Sequence, residues 1–307
     1  MTRLVLVTGG AGFIGSHFCE QLVARGIRAR VLDDFSTGNA ANLARIWREI
    51  EVVEGSLESP GAVARAIAGA TEVVHLAARS SVAESIAMRE AYEQVNIGGT
   101  RVLLEAACAA GVRRFVLAAS SSAYGDHQAP HDESLAPRPM SPYAETKVAC
   151  ESLVREFATT RGLDGISLRF FNVYGPRQDP NSAYAAVIAK FMSRIAAGLP
   201  VTVYGDGQQT RDFIHVSDTA RALLAAVEAP QPLGGAVVNI GTSRAASIGT
   251  LARLVGAVVG RSASVELAPA RPGEVRDSVA DIARAEALLG FRASVRLEDG
   301  LALMRDA

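Results

Sequence analysis

The chain has few cysteines and no long hydrophobic run. Its 307 residues include three cysteines, Cys19, Cys108 and Cys150, which lie far apart within helical patterns. Isolated cysteines of this kind behave as small buried hydrophobes and fit a reducing compartment. No apolar stretch reaches membrane-spanning length, and the opening apolar run is too short for a secretory signal. We therefore expect a cytoplasmic protein with no membrane partner.

The chain also has almost no net charge. Its 31 Lys and Arg residues nearly balance 32 Asp and Glu residues, which gives a formal net charge of −1. Such a balance provides no overall field toward nucleic acid or an anionic membrane, so we expect neither as a partner. An anionic substrate would have to be bound by local arginines. The 49% hydrophobic content and the length indicate a globular protein with a large core.

A glycine-rich turn near the N-terminus is the most informative motif. The segment Thr8-Gly9-Gly10-Ala11-Gly12-Phe13-Ile14-Gly15 follows an apolar run and leads into a helical pattern that ends near Gly26. A strand, a glycine turn and a helix in this order bring backbone N–H groups and the positive end of a helix close to a diphosphate. The motif therefore favours a dinucleotide site, although the turn alone also fits a strand-to-helix connection without a ligand.

The second predicted strand supplies a carboxylate at a suitable distance. The run Ala29-Arg30-Val31-Leu32 ends in Asp33-Asp34, and Asp33 follows Gly15 by 18 residues. A carboxylate at this spacing binds the adenosine ribose hydroxyls of a dinucleotide. No arginine, which a 2′-phosphate would require, occurs in Asp34-Phe35-Ser36-Thr37. The sequence therefore predicts NAD rather than NADP, and a solvated loop carboxylate is the alternative for Asp33.

Strand-like apolar runs alternate with helical patterns up to about Pro176. The predicted strands cover residues 52–53, 72–76, 114–118 and 165–169, and the predicted helices cover residues 60–68, 84–110 and 143–160. Alternation of this kind predicts an α/β fold with a doubly wound parallel sheet of the Rossmann type. We expect an NAD-binding domain over residues 1–176 and a smaller α/β substrate domain over residues 177–307. Segments near 212–240 are expected to return to the sheet.

Tyr143 and Lys147 lie near the start of a predicted helix, four residues apart. This spacing places both side chains on one helix face, and a lysine ammonium beside a tyrosine stabilises the phenolate form. The serines Ser120-Ser121-Ser122 follow the fifth predicted strand at its carboxyl end, where a hydroxyl can bind a substrate oxygen. The combination favours a proton-transfer site over a solvated helix face.

Seven motifs, spread over nearly the whole chain, match a known family. They are Thr8 to Gly15, His75 to Ala78, Asn96 to Thr100, Ser120 to Gly125, Ser141 to Lys147, Arg169 to Pro176 and Arg211 to Val216. With them the chain resembles the extended short-chain dehydrogenases/reductases of the nucleotide-sugar epimerase and dehydratase group. The resemblance implies that Tyr143 is the catalytic acid/base, that Lys147 holds the nicotinamide ribose, and that a serine orients the reacting hydroxyl. We favour Ser121, with Ser120 and Ser122 as alternatives.

The resemblance also implies a set of cofactor and substrate contacts. The implied NAD-binding residues are Gly9, Gly12, Phe13, Ile14, Gly15, Asp33, Asp34, Ser36, Gly38, Ser56, Leu57, Ala77, Ala78, Asn96, Tyr143 and Lys147. The implied substrate-binding residues are Ser81, Ser121, Ser122, Tyr143, Asn172, Ala185, Val187, Arg211, Arg271, Glu274 and Ser278. Family members usually carry an aspartate at the position of Ser56, where it touches the adenine amino group.

The stretch from Arg177 to Ile188 resembles the uridine-binding stretch of bacterial UDP-N-acetylglucosamine 4-epimerases. Dehydratases of the group carry an Asp-Glu pair after the catalytic serine or threonine, whereas Ser122 and Ala123 stand here. In related epimerases a tyrosine at the position of Ser278 restricts the sugar pocket to glucose and galactose, and a small residue admits an N-acetyl group. The resemblance therefore implies an isomerase that epimerises UDP-GlcNAc and UDP-GalNAc at C4 through a transient 4-keto sugar.

Alternatives remain open from the sequence. UDP-glucose or UDP-glucuronate is an alternative substrate, and a catalytically silent NAD(H)-sensing regulator is an alternative function on the same fold. The resemblance suggests a homodimer through the predicted helices at residues 84–110 and 143–160. His127 and His131 lie close to acidic residues, but the same loop is typical of family members without a metal, so no metal is expected.

Overall fold

The computed structural model describes residues 3–178, 187–270 and 275–306. Its strands are β1 (Leu4–Thr8), β2 (Arg28–Asp33), β3 (Glu51–Glu54), β4 (Glu72–His75), β5 (Arg114–Ser120), β6 (Asp164–Phe170), β7 (Asn172–Tyr174), β8 (Val201–Tyr204), β9 (Thr210–His215), β10 (Ala236–Ile240), β11 (Ala245–Ser247), β12 (Val265–Ala268) and β13 (Asp277–Ser278). Its helices are α1 (Phe13–Ala24), α2 (Pro60–Ile67), α3 (Val82–Ala87), α4 (Arg89–Tyr92), α5 (Gly99–Ala109), α6 (Pro142–Arg161), α7 (Val187–Ala196), α8 (Val216–Glu228), α9 (Ile248–Val259), α10 (Ala283–Leu289) and α11 (Leu297–Arg305).

Seven parallel strands form the large sheet, in the order β10-β6-β5-β4-β1-β2-β3. Both of its faces are covered, because consecutive side chains of a strand point to opposite sides. Val5 and Val7 of β1 pack in the cluster that includes α1 and α8 residues, whereas Leu6 packs with residues of α2, α5 and α6. The predicted doubly wound parallel sheet is thus confirmed.

The sheet brings the carboxyl ends of β1, β2, β4, β5 and β6 to one edge, because all five strands run in the same direction. The strand order reverses outward from β1, where β2 lies on one side and β4 on the other. Ligands of such sheets bind at the carboxyl edge beside this reversal. The predicted cofactor residues on β1 and β2 therefore face the same crevice as the serines after β5.

The later strands divide among three sheets, one of which is the β8–β12 pair. β10 pairs with β6 at the edge of the large sheet, while β9 pairs with β7, β11 and β13 in a separate four-stranded sheet. A third apolar cluster packs beside this small sheet between α7, α9 and α11. Of the segments near 212–240, the structure therefore places residues 236–240 in the large sheet and residues 210–215 in the small one.

The single helix predicted over residues 84–110 is wrong. The structure replaces it with α3, α4, a wide π-type turn over Glu93–Gly98, and α5. Met88 interrupts the first part with non-helical dihedral angles of φ −126° and ψ 40°. Gly99 packs against Leu57, since a Cβ built on it would lie 2.8 Å from Leu57 Cβ. Hydrophobic periodicity detects the helical character of this region but not these local interruptions.

Candidate active site

A cavity of about 870 Å³ opens at the carboxyl edge of the large sheet. Every predicted cofactor residue lines it except Asn96. These lining residues are Gly9, Gly12, Phe13, Ile14, Gly15, Asp33, Asp34, Ser36, Gly38, Ser56, Leu57, Ala77, Ala78, Tyr143 and Lys147. The cavity is of the size that small-molecule and cofactor sites usually have. The sequence motifs that lie far apart in the chain thus meet at one site.

The glycine turn has room only for glycine at two positions. Gly9 has a φ of 69°, and a Cβ on it would lie 2.7 Å from the Ala77 nitrogen. A Cβ on Gly15 would lie 2.2 Å from the Gly9 carbonyl oxygen. The turn therefore stays tight, and α1 begins at Phe13 with its N-terminal N–H groups at the cavity wall. This cradle fits the diphosphate of a dinucleotide.

Asp33 joins the end of β2 to the glycine turn. Its Oδ2 accepts a hydrogen bond from Ala11 N at 2.8 Å, and its Oδ1 accepts one from Phe35 N at 2.9 Å. Burial raises the pKa of the Asp33 carboxyl, against the opposite effect of these two hydrogen bonds. Each carboxylate oxygen can still accept a further hydrogen bond. The side chain therefore fits a role at the ribose hydroxyls while it also braces the turn.

The start of α6 positions Tyr143 and Lys147. Ser141 Oγ accepts a hydrogen bond from Ala144 N at 3.2 Å, so the helix begins at Pro142 and Tyr143 lies in its first turn. Lys147 is buried, and its Nζ donates to the Ala118 carbonyl oxygen at 2.8 Å. The same Nζ lies 5.9 Å from the centroid of the Tyr143 ring. The ammonium is therefore fixed beside the tyrosine at the cavity wall.

Among the three serines, the structure brings Ser120 to the cavity. Ser120 lines the cavity together with Tyr143, whereas Ser121 and Ser122 do not. Strand β5 continues through Ser120, and the other two serines lie in the 3₁₀ turn that follows. Ser120 Oγ accepts hydrogen bonds from Ser122 N at 3.2 Å and from Ser122 Oγ at 2.9 Å, so its own proton is left for another acceptor. The structure thus places Ser120, rather than the favoured Ser121, at the cavity.

Asn96 lies behind the cavity wall rather than on it. Its buried amide accepts a hydrogen bond from Arg79 N at 2.8 Å and donates to Arg79 O at 3.0 Å. It also donates to Thr146 Oγ1 at 3.0 Å. These bonds use both of its N–H donors, so the side chain braces the loop after β4.

The predicted substrate residues fall into three groups. Ser81 lines the cavity, and its Oγ accepts a hydrogen bond from Glu84 N at 3.0 Å at the start of α3. Arg211 and Ser278 are opposite each other in the β9–β13 pair. Asn172, Val187, Arg211 and Ser278 belong to β7, α7, β9 and β13 and are not among the residues that line the cavity. Ala185, Arg271 and Glu274 lie outside the described residues.

The sequence analysis missed three charged residues that line the cavity, Glu58, Arg79 and Glu84. Each lies within a few residues of a predicted contact, and only this closeness to the Gly55 turn and to the His75 motif could have drawn attention to them. Their charges matter because the cavity must take up a dinucleotide with a charged diphosphate.

The histidine loop shows no arrangement typical of a metal site. His131 Nε2 lies 2.9 Å from the His127 carbonyl oxygen, and its ring stacks on Tyr124 with the centroids 4.8 Å apart. Across the part of the chain that the structure describes, no group of three side chains suited to hold a metal ion is found. Within the same described ranges, no helix combines the length and the apolar character needed to cross a membrane.

Comparison with known proteins agrees with a dinucleotide site in the cavity. A family model described as the NAD dependent epimerase/dehydratase family matches residues 5–241. A UDP-glucose 4-epimerase of Mycolicibacterium smegmatis is 38% identical over 303 residues, which cover 97% of this chain and 96% of the relative.

Solved structures of similar proteins extend over nearly the whole chain. The UDP-glucose 4-epimerase of Thermotoga maritima with UDP-glucose has a TM-score of 0.93 and 37% identity, and covers 99% of this chain and 98% of its own. The UDP-N-acetylglucosamine 4-epimerase of Methanobrevibacter ruminantium with UDP-N-acetylmuramic acid has a TM-score of 0.94 and 34% identity, with coverage of 99% and 97%. The chain therefore belongs to the NAD-dependent epimerase/dehydratase family, and it is an enzyme whose cofactor is NAD.

Proposed function

We propose that this enzyme epimerises a UDP-hexose at C4 through a transient 4-keto sugar. The observation that carries the proposal is that Tyr143, Lys147 and Ser120 line the same cavity as the glycine turn. The similarity to UDP-sugar 4-epimerases along almost the entire chain supports it.

The side chains have distinct roles in this reaction. The glycine turn and Asp33 would hold NAD, which would supply a hydride acceptor and donor for C4 of the sugar. Tyr143 takes the proton of the 4-hydroxyl as the C4 carbonyl forms, and gives a proton back when the hydroxyl is restored. Lys147, held on the Ala118 carbonyl oxygen, keeps its ammonium 5.9 Å from the centroid of the Tyr143 ring. Ser120 donates its free proton to the reacting oxygen and so fixes its position.

Water elimination is disfavoured at this site. A dehydratase needs a carboxylic acid close to the catalytic serine to protonate the leaving hydroxyl group. Here Ser120 is followed by Ser121, Ser122 and the buried Ala123. The three residues after Ser120 thus supply hydroxyl groups but no carboxylic acid that could expel water.

For the sugar, we propose UDP-GlcNAc and UDP-GalNAc, with UDP-glucose and UDP-glucuronate as the alternatives. The resemblance supports this choice, because a small residue, Ser278, stands where related epimerases restricted to glucose and galactose carry a tyrosine. Ser278 pairs with Arg211 in the small sheet. Incubation of the purified protein with each UDP-sugar, followed by analysis of the product sugar, tests the proposal. Turnover of UDP-glucose or UDP-glucuronate without turnover of UDP-GlcNAc would contradict the choice.

Substitution of Ser278 tests whether this residue determines which sugar the pocket accepts. A tyrosine would overfill the pocket of an N-acetylated sugar, and overpacking of this kind costs a factor of roughly 5 to 150. Ser278→Tyr is therefore expected to suppress turnover of UDP-GlcNAc and to leave turnover of UDP-glucose largely intact. Ser278→Ala, the matched small variant, should retain both activities. If both activities fall together in Ser278→Tyr, or neither changes, Ser278 does not determine the choice of sugar.

The silent NAD(H)-sensing regulator, the alternative from the sequence, disagrees with the membership of an enzyme family. Tyr143 and the fixed ammonium of Lys147 argue against it, because a sensor needs no proton-transfer pair. Tight and redox-selective NAD(H) binding without turnover of any UDP-sugar would favour the regulator.

We also propose a homodimer. Val82 and Ile86 of α3 are exposed apolar side chains, with 48% and 71% of their surface accessible, and α3 packs beside α6. Burial of these side chains against a second copy would remove apolar surface from water. Light scattering coupled to gel filtration gives the mass in solution, and a monomer would contradict this part of the proposal.

A further inference from the structure

Arg79 lies on the cavity wall next to the glycine turn. The segment after β4 lines the cavity from Leu76 to Ser81. It packs directly on the turn, since a Cβ on Gly9 would lie 2.7 Å from the Ala77 nitrogen. Arg79 is two residues beyond this contact. Arg79 therefore belongs to the cavity-lining segment that contacts the glycine turn.

A buried amide fixes the backbone of Arg79. Asn96 is only 2% exposed and binds both the N–H and the carbonyl oxygen of Arg79. The same amide donates to Thr146, whose Oγ1 in turn donates to the Tyr143 carbonyl oxygen at 2.8 Å. This chain of hydrogen bonds sets the position of Arg79 relative to the catalytic helix α6 as well as to the glycine turn.

The charges along the cavity wall leave a specific task for Arg79. Among the described residues that line the cavity, Arg79 and Lys147 are the two cations. The lining carboxylates are those of Asp33, Asp34, Glu58 and Glu84. Lys147 is bound to the Ala118 carbonyl oxygen beside Tyr143. A wall with more carboxylates than cations would repel the negative diphosphate of NAD unless a cation lay close to it.

The guanidinium of Arg79 is only loosely paired. Its Nη1 lies 3.8 Å from Glu84 Oε1, beyond hydrogen-bonding distance, and 39% of the side chain is exposed. Glu84 uses its other oxygen, Oε2, to accept a hydrogen bond from the Tyr92 hydroxyl at 2.7 Å. An arginine held in this way can turn its planar donor groups toward a phosphate.

We propose that Arg79 binds the diphosphate of NAD, and that Asn96 is the residue that positions it. The glycine turn and the N-terminus of α1 contact the diphosphate from one side, and Arg79 neutralises its charge from the side of β4. In this way a wall rich in carboxylates still binds an anionic cofactor.

Binding measurements on charge variants test the proposal. Arg79→Gln removes the charge, Arg79→Lys keeps it, and Arg65→Gln removes a charge from the exposed face of α2 outside the cavity. Titration of NAD-stripped protein is expected to show a loss of affinity of about 10- to 100-fold for Arg79→Gln, because a charge-assisted hydrogen bond is removed. Arg79→Lys should retain most of the affinity, and Arg65→Gln all of it. The salt dependence of NAD binding should weaken in Arg79→Gln.

Equal NAD affinity for Arg79→Gln and Arg65→Gln would overturn the proposal. A loss of UDP affinity in the NAD-loaded Arg79→Gln protein, with NAD affinity unchanged, would also overturn it by assigning Arg79 to the substrate. Thermal unfolding without ligand checks that the variants fold. Glu84→Gln provides a second test. It removes the carboxylate that competes with the diphosphate for Arg79, so NAD binding should be as tight as in the wild type or tighter. Weaker binding in that variant would contradict the proposal. These readouts do not depend on which UDP-sugar is turned over.

Discussion

At the scale of single residues, the hydroxyl groups at the end of β5 differ in what their protons can do. Ser122 donates its proton to Ser120 Oγ, so its hydroxyl is already used inside the turn. Ser120 accepts that bond at the cavity wall and keeps its own proton available. Only Ser120 combines a free proton with a place beside Tyr143.

Substitution of the serines is therefore expected to have unequal effects. Ser120→Ala should lower turnover by about 10- to 100-fold, the factor associated with one hydrogen bond to a group that gains charge. Ser121→Ala, the matched control, should stay near the wild-type rate. Tyr143→Phe provides the upper limit, a loss on the order of 10²–10⁴, because it removes the proton-transfer group. Steady-state turnover of the best UDP-sugar measures all three, and a larger loss in Ser121→Ala than in Ser120→Ala would restore the original assignment.

Strand β5 extends beyond its predicted end, and this places Ser120 at the cavity. The apolar pattern of β5 fades at Ala118, so the strand was predicted to end there, but its pairing with β6 continues through Ser120 and Phe170. Strand pairing depends on backbone hydrogen bonds, which do not require apolar side chains. The motif that contains Asn96 likewise shows the residue type but not that its amide binds the backbone of Arg79. Residue types at the site were predictable, whereas their hydrogen-bond partners were not.

At the scale of secondary-structure elements, a buried ion pair ties α6 to β6. Arg169 Nε and Nη2 donate to the two carboxylate oxygens of Glu151 at 2.8 and 2.7 Å. The Arg169 guanidinium also lies 4.6 Å from the centroid of the Tyr124 ring, and burial leaves both partners of the ion pair almost without solvent contact. Glu151 is one helical turn beyond Lys147. The pair therefore holds the catalytic face of α6 against the sheet.

Removal of Glu151 is expected to destabilise the protein strongly. Glu151→Ala would leave the charge of Arg169 buried without a partner, which typically costs about 3–5 kcal/mol. Glu156→Ala, on an exposed position of the same helix, should change the free energy of unfolding by no more than about 0.5 kcal/mol. Urea unfolding of the two variants measures the difference. Equal losses would show that the ion pair does not stabilise the attachment of α6.

At the scale of the whole molecule, the parallel sheet was predictable because its strands are buried on both faces and appear as continuous apolar runs. The strand β1 shows this, with all five residues buried. The separate pairing of β9 was not predictable, because the choice between two sheets depends on contacts with β7, β11 and β13 far away in the chain. Local patterns thus indicate where strands lie but not which sheet a late strand joins.

His75 links three parts of the molecule through a directed series of hydrogen bonds. Thr100 Oγ1 donates to the Asn96 carbonyl oxygen at 2.5 Å, so it can only accept from His75 Nε2, at 2.9 Å. His75 Nδ1 is then unprotonated and accepts from Thr8 Oγ1 at 2.7 Å. A second proton on the ring would make the Thr8 hydroxyl accept instead of donate. In its neutral form the buried ring joins β1, β4 and α5.

This arrangement predicts a loss of stability in mild acid. Burial lowers the pKa of His75 to about 3 in the folded protein, whereas the ordinary value is 6.5. Between these two values the unfolded chain binds a proton that the folded chain does not, so the free energy of unfolding should fall as the pH decreases from 6.5 toward 3. One such group contributes a slope of about 1 kcal/mol per pH unit. His17, His131 and His215, whose pKa values are also lowered by burial, add to this slope.

Urea unfolding from pH 7.5 to 4.5, compared between the wild type and His75→Gln, isolates the contribution of His75 to the slope. Glutamine carries a donor and an acceptor but no titrating group, so the variant should show a shallower slope, and an unchanged slope would contradict a neutral His75 at the centre of the fold.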